Sequence, residues 1–170
     1  VRLIRSRDVP ALTGLTADQL REWTVRRRLI QPDEPAQKRG SEAKFSWQTL
    51  LVLRLAVALR TGFHVELQAH RELLASARKL LDGASFLGLW GGTLAIYGLA
   101  RCELLSARTP PASVEEDAIL LRLNRHLDAL SQGLGFPEPV SQLSLFTAVG
   151  LKGAGEGAPA EFRRAEGARS

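Results

Sequence analysis

Arg26-Arg27-Arg28, preceded by Arg21 and followed by Lys38, Arg39 and Lys44, is where residue type and spacing in this chain most suggest chemistry. Cationic groups set this close together capture anionic oxygens, and each one that neutralises a phosphate releases a counterion. The other reactive side chains do not assemble. His64 and His70 are six residues apart, which does not bring them to one helix face, and His126 lies far along the chain. A packing or surface role fits all three better than a metal site. Glu115, Glu116 and Asp117 follow Ser113 and suit the positive end of a helix dipole better than an acid–base pair. Cys102 is the only cysteine, so no disulfide or thiolate cage can close within one chain. Its neighbours Leu99, Ala100, Leu104 and Leu105 predict a buried, inert thiol, and a redox or metal site built from two chains stays open. No phosphate-binding glycine loop, dinucleotide fingerprint or nucleophile elbow occurs, and Gly91-Gly92 reads as a turn. The expectation is a binding protein and not an enzyme, with no catalytic residue, no metal and no cofactor.

Charge is unevenly spread. The formal net charge is +5, yet residues 1–82 hold 15 Lys and Arg against 9 Asp and Glu, while 83–152 hold 5 against 6 and 153–170 hold 3 against 3. A surplus confined to one half points to a polyanionic partner or to a solvated basic face. The 45% hydrophobic fraction allows a real core, and 170 residues suit one domain or one domain with a small companion. The opening VRLIRSRD has no apolar stretch of signal-peptide length. The most apolar helix, Leu50–Leu59, is interrupted by Arg54 and too short to span a bilayer. No membrane partner is expected. The first residue is Val1, not Met, which suggests processing or a start inside a longer gene.

The elements that must position the cations follow from punctuation. Asp8-Val9-Pro10 opens a short helix with Asp8 capping, and Thr13-Gly14 closes it. Thr16-Ala17-Asp18-Gln19 is a capping box, and the helix it starts sends Leu20, Trp23 and Val25 inward and Arg21, Arg26 and Arg27 outward. Two short helices joined by a tight glycine turn make a helix-turn-helix. Gln31–Lys44 is a loop or a two-stranded wing carrying Lys38, Arg39 and Lys44. Ser46 caps a buried helix over Trp47–Arg60 that Thr61-Gly62 breaks, and Val65–Leu81 forms the next helix. Beyond Gly83, Phe86–Trp90 and Thr93–Leu105 read as two strands turning at Gly91-Gly92, with Gly98 a bulge or bend. Ser113–Glu116 opens a helix whose Leu120, Leu123, Leu127, Leu130 and Leu134 form one stripe, set against the hairpin or a partner subunit. Gly133–Pro139 reads as a linker.

Taken in order, Asp8–Trp23, Leu29-Ile30-Gln31-Pro32, Lys44-Phe45-Ser46 leading into Leu50–Arg60, and Thr61-Gly62-Phe63 resemble the start of MerR-family transcriptional regulators. The match covers roughly residues 3–75. The resemblance implies that Thr16, Gln19 and Arg21 lie on a recognition helix entering the major groove of double-stranded DNA. Trp23 takes the place of a family aromatic, and Lys44 belongs to a wing gripping the flanking backbone. The chain departs from the pattern in Val25–Arg28, one residue longer than usual, with Arg28 where the family prefers Gly. Ser41-Glu42-Ala43 lacks the family's wing Tyr and Arg. Elementary chemistry agrees: base contacts specify and phosphate contacts position, so Gln19 could read adenine and Arg21 could read guanine or hold a phosphate, with Arg26–Arg28 at the flank. Readers of this class usually double their contacts as homodimers.

A second motif stands apart. Gln142-Leu143-Ser144-Leu145-Phe146 resembles the peptide by which bacterial polymerases and repair factors bind the DNA polymerase III sliding clamp. Leu143, Leu145 and Phe146 would fill apolar pockets and Gln142 would bond at the rim. Alternatively Val140–Val149 is a core strand.

The expected fold is mainly α with a small β component: a winged helix-turn-helix over 1–82, a small α+β module over 83–150, and a flexible tail over 151–170. The expected function is a MerR-like DNA-binding regulator, dimeric, in the cytoplasm at the nucleoid. The alternative is a replication or repair accessory protein that binds both DNA and the sliding clamp.

Overall fold

Pro10 and Gly14 bracket the first helix for opposite reasons. In the computed structural model, which describes residues 2–38, 40–108 and 116–136, α1 spans Val9–Thr13 with proline in its first turn and Gly14 in the left-handed conformation just past its end. Asp8 precedes it but makes no side-chain cap bond; its carboxylate lies 3.7 Å from Arg7 instead. Thr16 then opens α2 (Ala17–Arg21) with both arms of the capping box in place. The chain runs on without a break into one π-helical turn, Glu22–Arg26.

A short antiparallel pair, β1 (Ile4–Arg5) with β2 (Lys44–Phe45), ties the start of the chain to the end of the 31–44 loop. Ser46 accepts from Thr49 N–H and starts α3, Trp47–Phe63. Thr61-Gly62 does not break this helix; His64, at φ 54°, ends it in the left-handed region. Gly62 sits in open space, so it costs helix propensity without forcing a stop. Val65 and Leu67 are buried in a turn, and α4 begins only at Arg71, running to Asp82.

The second half is built differently from the expectation. Phe86–Trp90 is not a strand: Leu87–Leu89 is a 3-10 turn, and Phe86 sits edge-on to Trp47 and Trp90, within 5.5 Å of both ring centres. Aromatic packing takes precedence there over strand pairing. The hairpin consists of β3 (Thr93–Tyr97) and β4 (Arg101–Leu105). Gly98 and Leu99, both at positive φ, form its turn, so Gly98 is neither bulge nor bend. The leucine stripe is split between two elements. Ala118–Arg122 is β5, paired antiparallel with β3, and only Asn124–Leu134 is helical, as α5. Leu120–Leu123 satisfies a strand's register as well as a helix's face, and the vacant edge of β3 decides between them. The sheet order is β4-β3-β5. Gly133, expected in a linker, lies inside α5, where any Cβ would collide with the Leu12 side chain.

One hydrophobic cluster runs from Ile4 through α3 to Leu134, so the expected boundary at residue 82 leaves no gap in the packing. Leu123, Leu127, Leu130 and Leu134 are all buried in it, which removes most of the stripe from any partner surface. The architecture is a mixed helix and strand fold. No helix among the described residues is long and apolar enough to cross a membrane. Arg39, Ser113–Glu115, Gln142–Phe146, the strand considered over Val140–Val149 and the expected tail lie outside the described residues.

Candidate nucleic-acid interface

The cations of the α2 region stand on one exposed ridge because the opposite side of that ridge is core. Leu20 and Trp23 are 4% and 3% exposed, whereas Thr16, Gln19, Arg21, Arg26, Arg27 and Arg28 are all exposed. Trp23, expected at the DNA face, is instead packed into the core, with the Arg60 guanidinium 5.7 Å above its ring. Val25, expected to point inward, is 64% exposed. Leu20, Trp23 and Thr24 share the buried face at three- and four-residue intervals, and helical spacing carries Val25 off that face.

Local bonds qualify the expected roles. Gln19 Oε1 accepts the Thr16 N–H at 3.0 Å, and Thr16 Oγ1 accepts the Gln19 N–H at 3.1 Å. Adenine readout needs both the oxygen and the amide nitrogen of a glutamine, and here the oxygen is already occupied. Arg21 lies 3.9 Å from Asp18, with both groups well exposed. Glu22 accepts from Arg27 Nε at 2.6 Å and from Arg26 Nη1 at 3.3 Å. The Arg27 hydrogen bond, aided by Arg26, holds its carboxyl below the ordinary carboxylate range. Such water-screened pairs contribute little to stability, so a phosphate can compete with the acid for these arginines.

Arg28 is different. It forms no ion pair among the described residues, and its backbone is left-handed at φ 49°. The bend it makes lets Leu29 N–H donate to Trp23 C=O at 2.7 Å and returns the chain to the core at Leu29 and Ile30.

The 31–44 segment projects as a hairpin-like loop. Glu34 and Lys44 exchange backbone hydrogen bonds of 3.1 and 2.8 Å, and Lys44 Nζ reaches Glu34 Oε2 at 2.7 Å. Lys44, the expected wing contact, is thus paired with an exposed acid, much as Arg26 and Arg27 are paired with Glu22. Lys38 is exposed at the loop tip, where its backbone brackets Ser41. The base of the loop is locked by Asp33, which accepts from Ser46 N–H, Thr49 Oγ1 and Arg78 Nη2 at 2.7–2.8 Å. Burial opposes ionisation of Asp33, but these bonds outweigh it and lower its pKa.

Between the ridge and the loop lies a groove of about 350 Å³, lined by Arg7, Arg21 and Glu42 together with Val25, Ala36 and Ala43. Arg7 and Arg60 extend the cationic surface, and sequence reasoning had not singled them out. Arg7 precedes a two-residue strand, and Arg60 sits in the last turn of a helix read as buried, so neither stood in a recognisable pattern. No group of three or more potential metal ligands occurs among the described residues.

The chain matches no family model, and no curated protein is significantly similar to it.

Proposed function

We propose that this protein binds double-stranded DNA through α2, the π turn after it and the adjoining loop, as a winged helix-turn-helix of MerR type acting in transcriptional regulation. The observation that carries the reading is Arg28. A non-glycine residue at positive φ costs about 1–2 kcal/mol, and glycine would relax it. Left-handed backbone occurs also at His64 and Leu99, but only Arg28 sets an exposed guanidinium with no ion pair among the described residues at such a bend, and strained residues cluster at ligand-binding sites. The charge completes an exposed cationic row with Arg21, Arg26 and Arg27. Two short helices joined at a left-handed glycine, with a loop beside them, supply the geometry such a row needs to sit in a groove.

Arg28→Gly tests this, because stability and binding should move in opposite directions. The variant should melt higher, by about 1 kcal/mol of added stability, and bind duplex DNA more weakly, with a salt slope lower by roughly 1. If binding is unchanged while stability rises, the charge has no phosphate partner and the reading fails. The regulator should also be a dimer, as pseudo-palindromic sites require. With the leucine stripe buried, the β3–β4 hairpin remains the expected pairing surface, and a monomer by light scattering at tens of micromolar, with and without DNA, would remove that expectation.

A second reading rests on the Gln142–Phe146 motif: an accessory protein holding DNA at one end and the sliding clamp at the other. Selection of bound fragments from random DNA separates the two. An operator-like site supports regulation, and binding without sequence preference supports the accessory role.

A further inference from the structure

Cations gather a second time, away from the ridge and without any acid. A pocket of about 490 Å³ opens between the carboxy-terminal half of α3 and the β5–α5 corner. Arg54, Arg122, Arg125 and His126 line it, and no carboxylate does. The side chains of Arg122 and Arg125 are exposed and form no ion pair or hydrogen bond among the described residues. Arg54 is half-buried; its Nη1 donates to the Leu12 carbonyl at 2.5 Å, and its Nε is buried without a partner. His126 is only 7% exposed, and its Nδ1 is likewise buried and unpartnered. Polar atoms placed this way in a folded interior are rare, and either water or a bound group would satisfy them.

Electrostatics point to the sign of that partner. Burial first, then Arg54 and Arg125, push His126 down to about 4. Burial and Arg125 lower Arg54 as well. Uncompensated like charges in a partly dry site destabilise the fold, and an anion would relieve them. Arg125 and His126 also occupy the first turn of α5, where the helix dipole favours a negative group. Part of the remaining wall is apolar: Val57, Phe63 and Leu120 line the same pocket beside Thr13 and Thr61, with Phe63 48% and Leu120 36% exposed.

We propose that this pocket is a binding site for a small amphipathic anion, its carboxylate or phosphate held by Arg54, Arg122 and Arg125 and its apolar body laid against Val57, Phe63 and Leu120. The site also touches the α1–α2 corner. Thr13 lines it, and Arg54 reaches from it to the Leu12 carbonyl at the end of α1. Occupancy would therefore be felt at the turn that sets α2, a consequence that rests on the DNA-binding reading, whereas the site itself does not.

The test uses the full chain without DNA. Calorimetric titration with phenyl phosphate, hexanoate and inorganic phosphate should give saturable one-to-one binding for an anion with an apolar body, tighter than for inorganic phosphate. Arg122→Gln and Arg125→Gln, both exposed and outside the core, should each weaken it about tenfold or more without lowering the melting temperature. The His126 imidazole resonances should shift on binding. Absence of saturable binding for all three anions overturns the proposal, as does binding that survives both variants. So does a result in which the two variants lower duplex DNA affinity while no small anion binds, since the arginines would then be seats for DNA phosphates. Failure of Arg28→Gly to weaken DNA binding leaves these anion measurements unaffected, so the two readings fail separately.

Discussion

Glu22 and Arg27 are joined by a 2.6 Å hydrogen bond from Nε to Oε1, and the same carboxylate also takes Arg26. One acid thus occupies two of three consecutive guanidinium groups on the proposed DNA face. Glu22→Gln should free both. Duplex affinity should rise at low salt, and the slope of log affinity against log salt should steepen by about 0.9 for each phosphate newly contacted. Fluorescence anisotropy over a salt series measures both quantities. An unchanged affinity and slope would mean that Glu22 does not compete with phosphate for Arg26 and Arg27.

Thr16 and Gln19 hold the start of α2 through reciprocal bonds, so their mutation confounds folding with recognition unless the two are separated. Thr16→Ala should cost about 0.5–2 kcal/mol of stability. Gln19→Glu keeps an oxygen that can reach back to the Thr16 N–H, and so preserves the cap, but it removes the amide donor and adds a negative charge. If Gln19 faces DNA, this variant should melt near the parent temperature and bind duplex markedly less well. Equal DNA affinity for parent and variant would confine Gln19 to capping.

What the sequence disclosed and what it hid divide along physical lines. The Thr16 capping box, the Gly14 turn, the Ser46 cap and the buried leucines of α3 were legible because each depends on residues within four positions of one another. The strand at Ala118–Arg122 was not, because its identity is decided by the edge of β3, more than twenty residues earlier in the chain. The Phe86–Trp90 segment was misread for a related reason: its partner Trp47 lies far back in the chain. At the candidate site, exposure of Arg21, Arg26 and Arg27 was readable from helical spacing. The Glu22 pairing, the Lys44–Glu34 bridge and the unpaired cluster around Arg54 were not, since each depends on side-chain direction or on elements distant in sequence. The left-handed backbone at Arg28 was foreshadowed by one thing only, the glycine that the resembled family prefers at that place.

His126 predicts a pH dependence of stability. Its ordinary value is 6.5 and its folded value about 4, depressed by burial and then by Arg54 and Arg125. Above 6.5 neither state is protonated, and the stabilisation is complete. As pH falls through the window from 6.5 to about 4, the unfolded chain takes up a proton that the folded chain refuses, so stability declines. Asp33 acts lower, its contribution present above the ordinary carboxylate value of 3.8 and lost as pH falls through its depressed folded value. Urea unfolding at intervals between pH 7.5 and 4.5 should show the histidine decline, and His126→Gln should flatten it. A saturating anion in the Arg54 pocket should flatten or reverse it too, by stabilising the protonated ring. A parent protein whose stability is level across that window would contradict the burial-driven shift.

The segment Gln142–Phe146 separates regulation from a replication or repair role. As a clamp ligand it would act alone, so a synthetic peptide spanning Pro139–Gly150 should bind purified bacterial sliding clamp without the rest of the chain. Its affinity should be modest, because ordering a free peptide costs conformational entropy. In the full protein, replacing Leu145 and Phe146 with Ala should abolish clamp binding while leaving DNA affinity and melting temperature nearly unchanged. A core strand predicts the opposite. Truncating two buried apolar side chains costs on the order of 2–5 kcal/mol each, so the double variant would lose much of its stability, and the wild-type peptide would ignore the clamp. Peptide binding together with an undisturbed melting curve supports the accessory reading, and a destabilised variant with a silent peptide removes the clamp from consideration.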